Sequence, residues 1–180
     1  MKRMTITLLL VAVSCQTVPK SPQDSSKPDV QIKVQKANNQ FEHETDMNLS
    51  VGGSVKLMCI VSDPQGVKSI QLSFSGHSDG CNVKGTIWTG GFAIKPMPAS
   101  MSQQLQGNAN DQVLTSVPLI ADLNGPFECS VFKPPCAEPG DDCSHGQPFG
   151  GTITVKCNGG NWSSDPQNQS AQATLAIHLQ

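Results

Sequence analysis

The sequence predicts an all-β domain, an antiparallel sandwich stapled by disulfides, and three observations carry that reading. Apolar and polar residues alternate with period two in several separate stretches, the mark of strands with one buried face. No stretch shows a convincing helical period. Between the alternating runs lie Gly, Pro, Ser, Thr, Asn and Gln, and the 180-residue chain carries seven cysteines. That is the texture of many short strands joined by turns, with cross-links to fix them.

The chain opens on a segment that does not belong to the domain. Met1-Lys2-Arg3 is basic, and Ile6 to Val13 is an apolar run of eight residues ending at Ser14-Cys15. A bilayer-spanning helix needs about 20 residues, so this run is the core of a secretory leader instead. These residues resemble a bacterial lipoprotein signal, in which small residues precede an obligatory Cys. The resemblance implies cleavage after residue 14, acylation of Cys15 (a palmitate-bearing N-terminus) and attachment to a membrane. Ala12 stands where that family prefers Leu, and Val13 where it prefers Ala or Ser. Ala12-Val13-Ser14 also fits the small-x-small site of an ordinary secretory signal, which would release a soluble exported protein with a free thiol. In a diderm host, Gln16 after the Cys implies sorting to the outer membrane. From Gln16 to Pro28 the only sizeable apolar side chain is Val18, so this stretch reads as a flexible tether. The organisation expected is therefore a leader over 1–14, a lipid-anchored linker over 15–28 and one sandwich domain over 29–180.

The strands follow in order. Val30, Ile32 and Val34 share a face, as do Val55, Leu57, Cys59 and Val61. A third strand opens at Val67 or Ser69 and sets Ile70, Leu72 and Phe74 against Gln71, Ser73 and Ser75. The middle is less regular, with one or two strands over Val113 to Ile120. Ile153, Val155 and Cys157 alternate with Thr152, Thr154 and Lys156, and the last strand alternates Ala173, Leu175, Ile177 and Leu179 with polar or small neighbours. Ser62-Asp63-Pro64-Gln65-Gly66 supplies turn chemistry, Pro fixing φ and Gly accepting a positive φ.

Ser62 to Ser69 and Gly151 to Leu179 are similar to the second-strand turn and the closing hairpin of bacterial immunoglobulin-like or fibronectin-like domains. The resemblance implies an immunoglobulin-like antiparallel β-sandwich, with an Asn/Gly-rich turn between the two strands of its closing hairpin. The family's buried Trp on the third strand is absent, with Phe74 in its place, and no tyrosine corner exists because the chain has no Tyr. With Cys15 assigned to lipid, six cysteines remain: Cys59, Cys81, Cys129, Cys136, Cys143 and Cys157. Cys59 and Cys157 fall at the inward positions that immunoglobulin domains bridge between their sheets, so the resemblance implies a Cys59–Cys157 bond. The other four, unassigned among themselves, are expected to staple Phe127 to Phe149 to itself and to a loop after the third strand.

Charge and motifs bound the function. After Cys15 the chain holds ten Lys, no Arg and fourteen acidic residues, a net charge of 10 − 14 = −4. Without a basic stripe to neutralise phosphates, nucleic-acid binding is excluded. Cys129, Cys136, Cys143 and His145, and likewise His77 with Cys81, raise a zinc site. The six-residue gaps and the oxidising destination argue for disulfides instead, and no metal is expected there. Glu138, Asp141 and Asp142 crowd one loop and could offer oxygens to calcium. Trp88 and Trp162 stand in Gly/Asn-rich surroundings that read as loops, where an exposed indole can stack on a sugar or anchor a protein, and where each can equally serve as the plug of a small loop cluster. His43, His77, His145 and His178 have no partner recognisable in sequence, and no catalytic or nucleotide-binding motif occurs. The expectation is a non-catalytic, cofactor-free binding or adhesion module of the cell envelope, with a protein or glycan partner held by loops at one end. A structural component of an envelope assembly, joined through a sheet edge, is the alternative, and a small secreted hydrolase the third.

Overall fold

The computed structural model describes residues 26–50, 53–83, 85–96, 103–116, 119–122, 127–130 and 146–180. The leader, Cys15, Cys136, Cys143, Glu138, Asp141, Asp142 and His145 lie outside them. The described residues form strands and no helix: β1 (Asp29–Gln35), β2 (Phe41–His43), β3 (Asp46–Leu49), β4 (Ser54–Ser62), β5 (Val67–Val83), β6 (Thr86–Pro96), β7 (Gln103–Gln106), β8 (Val113–Thr115), β9 (Leu119–Asp122), β10 (Phe127–Ser130), β11 (Gln147–Asn161) and β12 (Ser170–Leu179).

Two sheets pack as a sandwich. The smaller runs β2-β1-β4-β8, and β9 also pairs with β4, beside the end opposite β8. The larger runs β10-β6-β5-β11-β12-β3, with β7 covering the first half of β5. Neighbours are antiparallel except β12 and β3, which are parallel. The chain therefore changes sheets early: β1 belongs to the smaller sheet and β3 to the larger.

The alternation seen in sequence becomes the core. Ile32, Val34, Leu57, Cys59 and Val61 from one sheet meet Ile70, Leu72, Ile153, Val155, Cys157, Leu175 and Ile177 from the other, all essentially inaccessible to solvent. Phe74 is half-buried against this cluster. Val67 and Ile70 both face inward despite their odd separation, because the β5–β11 register slips beside Lys68. Burial of apolar area at about 25 cal/mol per Å² supplies the main folding force, and each of these side chains contributes about 1.5–3 kcal/mol.

Cys59 and Cys157 are bonded across the core, Cα atoms 6.0 Å apart, and Cys81 is bonded to Cys129 with Cα atoms 6.1 Å apart. The first bond ties β4 to β11, one sheet to the other. The second lies within the larger sheet, and the expected loop at Cys81 is strand: β5 runs on to Val83. The ladder runs on through Gly76 and Gly80, with a bulge between Ser78 and Gly80.

Two other sequence expectations are corrected. Asn158-Gly159-Gly160-Asn161 is the end of β11, still paired to β5 and β12, so the closing turn is Trp162 to Gln169. The glycines serve packing: a Cβ at Gly159 would lie 2.6 Å from Val61 Cγ1 and 2.8 Å from Val30 Cγ2, so here the sheets approach too closely for any side chain. Trp88 lies within β6, paired to Cys81, not in a loop.

Candidate functional site

The strand directions bring three connections to one end of the sandwich: Asp63–Gly66 between β4 and β5, Gly107–Gln112 between β7 and β8, and Trp162–Gln169 between β11 and β12. The described chain also begins there, at Ser26. The same device shapes all three connections. Asp63 Oδ1 accepts the Gln65 N–H at 2.8 Å, Asn108 Oδ1 the Asn110 N–H at 2.9 Å, and Asp165 Oδ1 the Gln167 N–H at 2.9 Å. Short polar side chains that bond the backbone two residues on are the general means of closing such turns.

Beneath the loops lies a buried polar cluster. Asp63 and Asn161 are 1% and 2% exposed, and Asn161 Nδ2 donates to Asp63 Oδ2 at 2.9 Å and to the Ser26 carbonyl at 3.4 Å. Asn161 Oδ1 accepts the Ser163 N–H at 3.1 Å, and Ser163 Oγ accepts the Asp165 N–H at 3.1 Å. Two hairpins and the start of the domain are thereby locked together. Buried polar groups require such partners, and here the loops supply them to one another. Beside this cluster an open groove of about 530 Å³ is lined by Ser26, Lys27, Asp29, Asp63, Pro64 and Val113, among others. Val113 is 56% exposed at its rim. Trp162 follows Asn161, with Lys68 Nζ 5.6 Å from its ring centroid and its indole Nε1 buried without a hydrogen bond. An ammonium over an indole is worth about 0.5–1 kcal/mol at such a site.

The opposite end is built differently. Ser78, wholly buried, places Oγ 3.3 Å from Cys81 Sγ and 3.5 Å from Cys129 Sγ and donates to the Phe92 carbonyl at 3.5 Å. Trp88 sits across from Cys81 on β6. On the other face of the same strands Ile87 is 63% exposed, and Phe149, 45% exposed, covers Gly80, where a Cβ would meet its ring at 2.3 Å. The structure therefore does not bring Trp88 and Trp162 into one site: they mark opposite ends of the sandwich.

A third grouping, unseen in sequence, lies on the outer face of the larger sheet. His178 Nε2 is 2.7 Å from Asp46 Oδ2, and its Nδ1 is 3.3 Å from Thr152 Oγ1. The parallel pairing of β3 with β12 places Asp46 here, and no local spacing signals it. The order carboxylate, imidazole, hydroxyl matches that of a hydrolytic triad. The setting does not: Asp46 and His178 side chains are 64% and 42% exposed on an open sheet. Thr152 sits mid-strand between β5 and β12, where backbone N–H groups serve the ladder and cannot stabilise an oxyanion. Among the described residues, no three or more His, Cys, Asp or Glu side chains gather as a metal site.

No family model matches the chain, and no curated protein matches it. Among solved structures it is similar to Spo0M, a sporulation control protein from Bacillus subtilis, at 10% identity and a TM-score of 0.38, over 86% of this chain and 50% of that one. The chain thus spans half the length of that protein. It is also similar to the N-terminal domain of PorA, at 9% identity and a TM-score of 0.30, over 84% of this chain and 98% of that domain.

Proposed function

We propose that this is an exported lipoprotein, anchored through Cys15, whose immunoglobulin-like sandwich is a non-catalytic binding module of the cell envelope. The observation that carries the reading is the cysteine pattern. Four of the six cysteines after Cys15 are joined in two buried bonds, an arrangement suited to an oxidising compartment, and Cys15 stands apart at the end of an apolar leader. Support for the immunoglobulin-like assignment is the connectivity. Strands β1, β4 and β8/β9 stand in the places of A, B and E, and β5, β11 and β12 in those of C, F and G, with the bond between B and F. A non-catalytic role is favoured by the open, donor-poor setting of Asp46, His178 and Thr152. The partner proposed is a protein or glycan.

Intact mass of the native mature protein, with and without reductant, tests the reading. The expected product begins at Cys15, carries acyl chains and gains six hydrogen atoms, two per disulfide, from the reductant. A product that retains residues 1–14, or that shows six reactive thiols before reduction, refutes it.

A second reading, a structural subunit joined through a sheet edge, is favoured by β6. Among the described residues β10 pairs only with Ala93–Pro96 of β6, leaving Thr86–Phe92 paired on the β5 side alone, with no charged residue in that run. Such an edge accepts an extended strand.

A further inference from the structure

The described chain joins the domain at the Trp162 end, where the Ser26 carbonyl accepts from Asn161. Asn161 faces Val67 in the ladder and Trp88 faces Cys81, fourteen residues further along β5. At about 3.3 Å per residue the two tryptophans are therefore separated by about 46 Å along the strand axis. From Cys15 to Ser26 the chain takes eleven steps, which at full extension reach at most about 36–40 Å.

Resting on the lipid-anchor reading above, we propose that this reach fixes which end of the sandwich faces the bilayer. To set the Trp88 end against lipid, Ser26 would have to stand a full sandwich length above the surface, about 46 Å, beyond what the linker spans even when straight. The Trp162 end, with its three Asx-closed loops and its groove, faces the membrane. The Cys81–Cys129 end faces away, presenting exposed Ile87 and Phe149 on the strand face opposite Trp88. The outward aromatic is Trp88, and Trp162 is on the lipid side.

Because the chain has only two Trp, each end carries its own reporter. The lipidated W88F and W162F proteins are incorporated into phosphatidylcholine vesicles containing a small fraction of lipid with a dansyl headgroup, and flotation is measured first. The transfer from Trp162 in W88F should exceed that from Trp88 in W162F several-fold, since transfer falls with the sixth power of distance. Equal transfer, or greater transfer from Trp88, overturns the orientation while leaving the anchor intact. Failure of the unaltered protein to float overturns the anchor reading and the orientation with it. Should either Trp variant not fold, the unaltered protein on the same vesicles is treated with an amine-reactive polymer too large to enter the gap. Lys27 and Lys68 should react several-fold more slowly than Lys56, which lies near the end of β4 remote from Asp63, and equal rates overturn the orientation.

Discussion

Replacing both Cys59 and Cys157 by Ala removes the bond that joins the sheets, and the nesting of the two disulfides sets the size of the effect. The Cys59–Cys157 bond closes a separation of 98 residues, and Cys81–Cys129, with a separation of 48, lies wholly inside it. With the inner bond intact, the outer one restrains about 50 residues of loop, 98 less 48. The chain-entropy model assigns such a loop about 4 kcal/mol, against about 4.7 for an uninterrupted 100-residue loop. Both sulfurs leave fully buried positions, and the void costs about 1 kcal/mol more. A loss of about 5 kcal/mol is large beside the roughly 5–15 kcal/mol by which domains are stable. It lowers Tm by about 10–20 °C for a domain of this size. Guanidinium unfolding of the mature protein and the double variant, without reductant, measures it. A loss below about 1 kcal/mol refutes the reasoning, because the bond would then neither restrain the unfolded chain nor fill the core.

Four further outcomes follow from the same structure. Gly66 and Gly85 both have left-handed backbone (φ 103° and 83°), but a Cβ at Gly66 meets the Ala109 carbonyl oxygen at 2.5 Å whereas one at Gly85 meets nothing within 4 Å. Gly85→Ala should therefore cost about 1–2 kcal/mol for backbone strain alone, and Gly66→Ala clearly more, as compared by denaturant midpoints; equal losses would contradict the contact. Asn161→Ala strips Asp63 Oδ2 of its donor in a buried site and should cost about 2–3 kcal/mol, read by urea unfolding; a neutral result would mean that the loop cluster is not held as described. Gly159→Ala drives a methyl into Val61 and Val30 and should cost about 1–3 kcal/mol by overpacking, with thermal unfolding as the measure. The Asp46–His178 pair is solvent-exposed, so a D46A/H178A double-mutant cycle should give a coupling below about 1 kcal/mol, and a broad esterase screen should show no activity that either substitution abolishes.

The strands that face the core were legible because burial on one side writes itself as alternation: Val55 to Val61, Ile70 to Phe74, Ile153 to Cys157 and Ala173 to Leu179 all lie where the period-two pattern sets them. The central runs of glycine were not legible. Gly76, Gly80, Gly90, Gly91, Gly159 and Gly160 carry the composition of turns, and in each case the strand continues through them. The physical reason differs from place to place. Gly159 admits the opposite sheet, Gly80 admits the ring of Phe149, and Gly90, with φ 117°, lies in a bulge of β6 opposite Asp79. A sequence reports that the side chain is missing, not whether a turn or a neighbour required its absence.

The same limit explains why the site was only half legible. Asp63 and Trp162 were visible as turn chemistry and as a rare aromatic, and both do lie at one end. What joins them is Asn161, which reads as one more polar residue in a loop. Its role depends on β11 running four residues further than its alternation suggests, so that Asn161 points inward at the position following Val155, Cys157 and Gly159 on the buried face. An inward amide at the end of an apolar row must find partners, and it finds Asp63 on the adjoining hairpin and Ser26 where the domain begins. That arrangement spends the polar groups of this end on holding the start of the domain, while Ile87 and Phe149 at the other end remain uncovered at 63% and 45% exposure. Under the binding reading proposed above, the Cys81–Cys129 end is the first place to test for the partner surface, and replacing Ile87 and Phe149 by Ser should then weaken that contact without loss of folding, as read by urea unfolding beside a binding assay.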